Sequence, residues 1–488
     1  MLDNQKAQAM VELFVKENFN PSISVTVYDN GKCSSYNAGY ADVEKKVPAT
    51  ENTAYAIGSS TKAFVAEALC ILADRKQLDL DKPIREYLPD FALYDTYASN
   101  ALTARDMLCH RSGLPRHDIT WFACKDRDKL VKNLRYLKPF ATFREKLYYQ
   151  NHMFMLAGYL VEKITGKKWD DFVKEEIMDP IGLKACFKLS DFESHPHASL
   201  PYLVTIAEGK VEREENWDIY HVGAAGCIHS TTSEMAKWIA LQLNEGKCGD
   251  KQIISQEKIK ECHTTQMAIQ KFTPDSPEFP EITNMGYGLG WFVETYRGRK
   301  LVHHGGNTSG FSAMHFFVPG TGFGASILTN CAGTPIQTSL MYSLIDLYFG
   351  DEPIDWLDRL KSHYIEAFKK GEAKLEEMKA SAVKDTKPSL PLEKYEGKYH
   401  NDGYGEVSIK AAGGELRGAY GDVEFEMEHI CFDAYLIKVL PKKKISAPAQ
   451  FTLDLVGGVS ALQIKLEPAL EDMIVFKIEK ESPEEGSQ

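Results

Sequence analysis

No window of the 488-residue chain approaches the run of about 20 apolar residues that crosses a bilayer, so the sequence offers no spanning helix. Basic clusters are equally missing. A net charge of −12, with no run of Lys and Arg longer than Lys442-Lys443-Lys444, argues against a nucleic-acid surface. The 10 cysteines include no C-x-x-C pair and no zinc-type spacing, so neither a disulfide scaffold nor a metal site is expected, and no cofactor is called for. The opening Met1-Leu-Asp-Asn-Gln-Lys6 lacks the charged-then-apolar layout of a secretory signal, which leaves the cytoplasm, with reduced thiols, as the expected location. No internal repeat is evident.

What is present is the balance of a folded enzyme, 43% apolar and 26% charged, in a chain too long for one ordinary core. Ser22-Ile-Ser-Val-Thr-Val-Tyr28 reads as a strand, and Asp29-Asn-Gly31 as its hairpin turn. After Gly58 the period becomes helical through Phe64, Ala68, Leu69 and Leu72. The stretch 80–245 reads mostly helical. Strands return at Trp291–Glu294, Arg299–His303, Ser312–Val318 and Gly324–Thr329, and a helix at Pro335–Phe349 closes the unit. Residues 351–384 turn to Lys, Glu and Ala and read as a linker helix. Beyond Pro388-Ser-Leu-Pro391 come seven short strands: Gly405–Lys410, Leu416–Tyr420, Val423–Met427, Tyr435–Val439, Phe451–Val456, Ala461–Leu466 and Met473–Ile478. Without helices among them, they predict a small barrel or sandwich. The acidic tail Glu481–Gln488 is expected to fray.

Three segments carry chemistry. Ser59-Ser-Thr-Lys62 places a hydroxyl and an amine one helical turn apart on one face, within reach of each other. Serine is a weak nucleophile until a base takes its proton, and lysine can be that base only if its pKa falls toward neutrality. The spacing recurs at Ser255–Lys258 and Ser381–Lys384, both read as solvated surface helix; Gly58 ahead of a helix N-terminus sets Ser59 apart. Tyr149-Gln-Asn151 can aim a phenol and an amide into one cleft, or instead pack an aromatic and cap a helix. His303-His-Gly-Gly306-Asn307 is a strand whose glycines allow a close backbone approach, and an N–H there could pair with that of Ser59 as an oxyanion hole. Adjacent strand histidines point to opposite faces, which argues against a metal. His195-Pro-His197 reads as solvated loop.

In this order the three segments resemble the serine β-lactamase and penicillin-binding-protein-like superfamily, most closely its class C, D-amino-acid peptidase and esterase branch. Tyr55-Ala-Ile-Gly58, Met107-Leu-Cys-His110-Arg-Ser-Gly-Leu114, Gly158, Gly223-Ala-Ala-Gly226, Tyr287-Gly-Leu-Gly-Trp291 and Leu328-Thr-Asn330 carry the likeness across residues 10–345. It implies an α+β fold, an antiparallel sheet flanked by helices plus a helical lobe, and the C-terminal strands resemble a lipocalin-like barrel. The implied division is a catalytic domain at 1–349, a linker at 350–387 and a barrel at 388–488. The implied residues are Ser59, Lys62 and Tyr149 for catalysis, with Asn151, His304, Gly305, Gly306 and Asn307 for substrate and oxyanion. Whether Lys62 or Tyr149 is the base stays open. The activity implied is acyl-enzyme hydrolysis of small esters, D-amino-acid-containing peptides or other short peptides. Weak or absent β-lactamase activity is expected, because His304 stands where drug-binding relatives have lysine, and it should gain charge only near pH 6.5. Partners are then a small-molecule or short-peptide substrate, with a homo-oligomer compatible; a catalytically idle scaffold on the same fold is the rival. The barrel, without a motif of its own, is expected to cap the cleft or join subunits.

Overall fold

The computed structural model describes residues 2–17, 20–269, 279–439 and 446–479; the tail whose fraying the sequence suggests lies outside them. A helix, α1 (Asn4–Glu17), precedes strands β1 (Ser22–Asp29), β2 (Lys32–Asp42) and β3 (Val47–Pro48). The β1–β2 turn is the hairpin expected from Asp-Asn-Gly, with Asn30 and Gly31 at φ of 47° and 88°. Helices α2 (Thr61–Asp74), α3 (Asn151–Thr165) and α4 (Thr232–Leu243) belong to the long middle region. Strands then return as β4 (Met267–Ala268), β5 (Ile282–Tyr287), β6 (Phe292–Tyr296), β7 (Arg299–Thr308), β8 (Phe311–Val318) and β9 (Phe323–Thr329). They form one antiparallel sheet with β1–β3, in the order β4-β5-β6-β7-β8-β9-β1-β2-β3.

Strand β1 is an interior strand of this sheet, between β9 and β2, and is buried on both faces. Ile23, Val25 and Val27 meet Ala7, Val11 and Phe14 of α1 and the apolar side of α5 (Ile336–Phe349). On the opposite face Thr26 Oγ1 donates to Thr232 Oγ1 at the start of α4, 2.9 Å away. The helical lobe sits on that second face, so the cleft opens where α2 and α3 meet the edge of β7.

The middle region is less purely helical than its sequence suggests, because Tyr202–Thr205 and Lys210–Arg213 form a strand pair. Those segments are four residues each, too short to establish an alternation. The barrel is closed, with eight antiparallel strands, β10 (Gly397–Asn401) to β17 (Ile474–Ile478). The seven expected strands are all present and β10 is the one unforeseen, since in Gly-Lys-Tyr-His-Asn only Tyr399 is buried. The strand expected at Phe451–Val456 runs instead from Ser446 to Leu453. Leu455 and Val456 fall in a turn whose Val456 and Gly458 N–H groups donate to the Asp454 carboxylate.

The link between the two units is α6 (Trp356–Ser381), polar over most of its length. Its first turn is not a free linker. Trp356 is fully buried beside the sheet, and its indole N–H donates to Tyr296 Oη and Asp346 Oδ2, both at 3.1 Å. A chain ending at Phe349 should therefore be less stable than one ending at Ser381 by about 3–5 kcal/mol, the cost of losing a buried tryptophan. Denaturant melts of the two would measure the difference; equal midpoints would show that Trp356 contributes nothing to the body.

Candidate active site

Gly58 adopts φ of +52°, a conformation open to glycine, and turns the chain from Tyr55–Ala56 into a single 3-10 turn, Gly58–Ser60, that runs on into α2. The turn is pinned to β7: Ser60 Oγ donates to the His304 carbonyl at 3.0 Å. The strand can lie this close only because it is glycine there. A methyl group on Gly306 would stand 1.8 Å from the Ile57 carbonyl oxygen and 2.8 Å from the Ser59 nitrogen. Asn307 is next in line, its amide nitrogen 2.8 Å from where a methyl on Gly58 would be. The backbone of Ser59 and that of Asn307 thus edge one cleft, with Ser312 Oγ holding the Asn307 side chain at 2.8 Å.

Lys62 points back over one turn, as the spacing requires, and donates from Nζ to Ser59 Oγ at 3.0 Å and to the Ala225 carbonyl at 2.7 Å. The side chain is fully buried, between the rings of Tyr149 and Phe154 at 4.9 and 5.5 Å. Burial, and then the positive charge of Arg116, hold its amine well below its ordinary pKa, while Asp118 pulls weakly the other way. Tyr149 shows the complementary shift. Its hydroxyl is buried without a hydrogen bond of ordinary geometry, and burial drives its pKa up, although the nearby Ser59 hydroxyl and Arg116 oppose this. Burial thus favours the uncharged form of both groups.

Helix α3 begins at Asn151, and its cap is Gln150, whose Oε1 accepts from the His152 N–H at 2.5 Å; the alternative reading of Asn151 as the cap is corrected. Freed from that task, the Asn151 amide donates to both oxygens of Asp118 at 3.1 Å. The other two Ser-x-x-Lys segments lie away from the cleft. Ser255 caps a short helix and bonds Asp74, while Lys258 pairs with Glu261; Ser381 and Lys384 are exposed.

His304 differs from its expectation. It is 1% exposed, its Nδ1 faces the Gly305 carbonyl at 2.5 Å, and its Nε2 accepts from Tyr287 Oη at 2.8 Å. Nδ1 must carry the proton, because a carbonyl can only accept. Burial first, and the nearby Lys62 next, push its pKa well below 6.5, so it gains no charge there. His303 points the other way, toward Glu294 at 3.5 Å. Among the described residues no cluster of His, Cys, Asp and Glu could hold a metal ion.

The charge in the cleft comes from residues the sequence did not single out. A cavity of about 240 Å³ in front of Ser59 is walled by Trp121, Phe122, Trp217, Ile219 and Phe311, with Arg116 and Asp118 at its polar side. The Arg116 guanidinium lies 5.6 Å over the Tyr149 ring and pairs with Asp118 at 2.6 Å. Both flank His117, which adopts φ of +51°. The available signal was the dense Gly113-Leu-Pro-Arg-His-Asp118 stretch, polar residues on a turn directly after the family-like Arg111-Ser-Gly-Leu114.

The described helices include none long and apolar enough to cross a membrane. The family profile named Beta-lactamase matches residues 7–345, and one named Domain of unknown function (DUF3471) matches residues 381–477. Among curated proteins, an unguisins hydrolase of Aspergillus violaceofuscus is 27% identical, over 92% of this chain and 86% of its own. Protein flp of Staphylococcus aureus strain MW2 is 24% identical over 67% of this chain and 63% of its own. Among solved structures, the octameric penicillin-binding protein homologue from Pyrococcus abyssi superposes with a TM-score of 0.62 at 21% identity, covering 98% of this chain and 100% of that one. The D-amino acid amidase from Ochrobactrum anthropi SV3 gives 0.57 at 22% identity, over 76% of this chain and 99% of its own. At such identities the structural likeness shows the fold, and the profile match over the whole body shows the family. The chain belongs to the beta-lactamase family, as a serine hydrolase whose catalytic fold is followed by a closed eight-stranded barrel.

Proposed function

We propose that the protein hydrolyses amide and ester bonds of short peptides and related small molecules through an acyl-enzyme on Ser59. The observation that carries this is the Lys62 amine, fully buried 3.0 Å from the Ser59 hydroxyl, where burial holds its pKa well below the ordinary lysine value. A neutral amine has the lone pair that can take the serine proton, which an ammonium lacks. Lys62 is thus the base, and Tyr149, held as a phenol, passes a proton to the leaving group. The backbone N–H groups of Ser59 and Asn307 stabilise the oxyanion, with Gly305 and Gly306 giving the strand its close approach and Asn151 orienting the substrate carbonyl. Because the two ionisable groups share one site, they titrate as a pair.

The lining favours an acyl group with a large apolar side chain. Support for peptide-like substrates comes from the relatives, one named a hydrolase of unguisins and another an amidase of D-amino acids. Penicillins should be poor substrates, since neutral His304 supplies no cation on the strand where drug-binding relatives have lysine; Arg116, the cation that does reach the cleft, comes from a different segment, beside Tyr149. The free state of all 10 cysteines supports a reducing compartment such as the cytoplasm. The octameric state named for the Pyrococcus relative supports a homo-oligomer.

Intact-mass spectrometry after incubation with a nitrophenyl ester, a D-aminoacyl amide and a penicillin should show an adduct on Ser59 with the first two and little with the third. Ser59→Ala should abolish labelling while leaving thermal stability nearly unchanged, and an adduct on that variant would overturn the assignment. Lys62→Ala should lower kcat/KM by about 10²–10⁴-fold.

The pH profile tests the charge states. The rate should rise with pH as Lys62 loses its proton, half-maximal well below the ordinary lysine value of 10.5. Arg116→Gln removes a charge that disfavours the ammonium, so the Lys62 pKa rises and the acidic limb moves to higher pH. An unmoved limb would mean that Lys62 does not feel Arg116. Binding of a carboxylate-bearing inhibitor should show no step near pH 6.5, because His304 stays neutral there.

A further inference from the structure

His117 stands between the two charged residues of the cleft and is held by the barrel through two hydrogen bonds and by the body through Lys138 and Thr120. Its side chain is completely buried. Its backbone N–H donates to Glu467 Oε2 at 2.7 Å, and its Nδ1 lies 2.6 Å from Tyr404 Oη, both partners belonging to the barrel domain. The tautomer follows from the third contact. Nε2 faces the Lys138 carbonyl at 3.0 Å and must donate, so Nδ1 is the acceptor and the Tyr404 hydroxyl the donor. A left-handed histidine is uncommon and is retained where its surroundings impose it. Here the surroundings are one buried carboxylate and one buried phenol, Glu467 and Tyr404 being each 3% exposed.

The barrel grips the far end of the same segment. A methyl on Gly421, at the turn after the strand Glu415–Tyr420, would stand 2.0 Å from the Phe122 carbonyl oxygen, so that turn lies directly on the backbone of Phe122. Phe122 lines the cleft. Between the two grips, Thr120 Oγ1 donates to the His117 carbonyl at 2.9 Å and accepts from His152 Nε2 of α3 at 2.9 Å. Residues 116–122 are therefore clamped between the barrel and the helix that carries Asn151. Arg116 uses Nε and Nη2 on Asp118, and no partner of its Nη1 edge is found among the described residues.

We infer that the barrel is the specificity element of the site: through Tyr404 and Glu467 it fixes His117, and thereby sets Arg116 as a hydrogen-bond donor to a carbonyl or carboxylate of a peptide-sized substrate. This rests on the acyl-transfer reading above and assigns to the barrel substrate selection, not the chemical step. Tyr404 and Glu467 are positioning residues; Arg116 is the residue that touches substrate.

The test compares nitrophenyl acetate, which offers Arg116 no distant acceptor, with the nitrophenyl ester of N-acetyl-D-phenylalanine, measured on the alkaline plateau where Lys62 is neutral in every variant. Tyr404→Phe and Glu467→Leu should each lower kcat/KM for the aminoacyl ester by about five- to tenfold, the effect of one lost buried hydrogen bond, and carry it in KM. Turnover of nitrophenyl acetate should change by less than about twofold. Amide exchange at His117 should quicken in Glu467→Leu. In an Arg116→Ala background the Tyr404→Phe loss should vanish, because the pin then has nothing to position. Equal losses on both esters, no loss on either, or an undiminished loss without Arg116 would overturn the barrel's role. An unaltered protein that hydrolyses neither ester would instead bring down the reading of Ser59 itself.

Discussion

Burying an amine with no carboxylate beside it is the constraint on which the site depends. Moving an unpaired ammonium out of water costs several kcal/mol, and that cost draws the pKa of a side chain held as Lys62 is held downward. Everything around it serves that end. The Ala225 carbonyl and the Ser59 hydroxyl give the amine two acceptors, the rings of Tyr149 and Phe154 exclude water, and every residue of α2 from Thr61 to Leu72 is buried. Such a helix needs cover on all sides, which the sheet and the helical lobe provide together. The reactivity proposed for Ser59 is thus a property of the closed interface between them.

The closure itself turns on an absence of side chains. Strand β7 and the turn before α2 meet backbone to backbone at Gly306 and Gly58, and a single methyl at Gly306 would collide with Ile57. The same contact brings the Asn307 amide beside Ser59. Burial that lowers the lysine pKa and the approach that sets the backbones of Ser59 and Asn307 side by side are two consequences of one packing arrangement.

Charge is distributed differently from the pattern of drug-binding relatives. His304 is spent inside the fold, between Tyr287 and Gly305, and the cleft's cation comes from a loop on the opposite wall. That loop is shaped by the barrel as much as by the body, since the apolar core runs without a break from α2 and α3 into Tyr404, Tyr420 and Phe476. The first turn of α6 is likewise part of the body through Trp356. The two halves of the chain therefore share a core and a wall of the cleft.

Local rules made much of this legible in the sequence alone. The strand pattern gave five of the nine strands of the sheet, β1 and β6 to β9, to within five residues, and missed β2 to β5; Asp29-Asn-Gly31 gave the β1–β2 hairpin turn, and the one-turn step from Ser59 to Lys62 fixed which face both side chains share, because helical and extended periods are properties of neighbouring residues. Strands of four or five residues, such as β10, carry too little pattern to be read. Tertiary structure decided the rest. Whether the Lys62 amine is neutral depends on burial by residues as distant as Ala225. Whether His304 can titrate depends on Tyr287 and on enclosure. Whether Arg116 reaches the cleft depends on His117 being held by Tyr404 and Glu467, which lie hundreds of residues away along the chain. Periodicity records a residue's neighbours in sequence, whereas a pKa and a left-handed backbone are set by whatever the fold brings within a few ångströms.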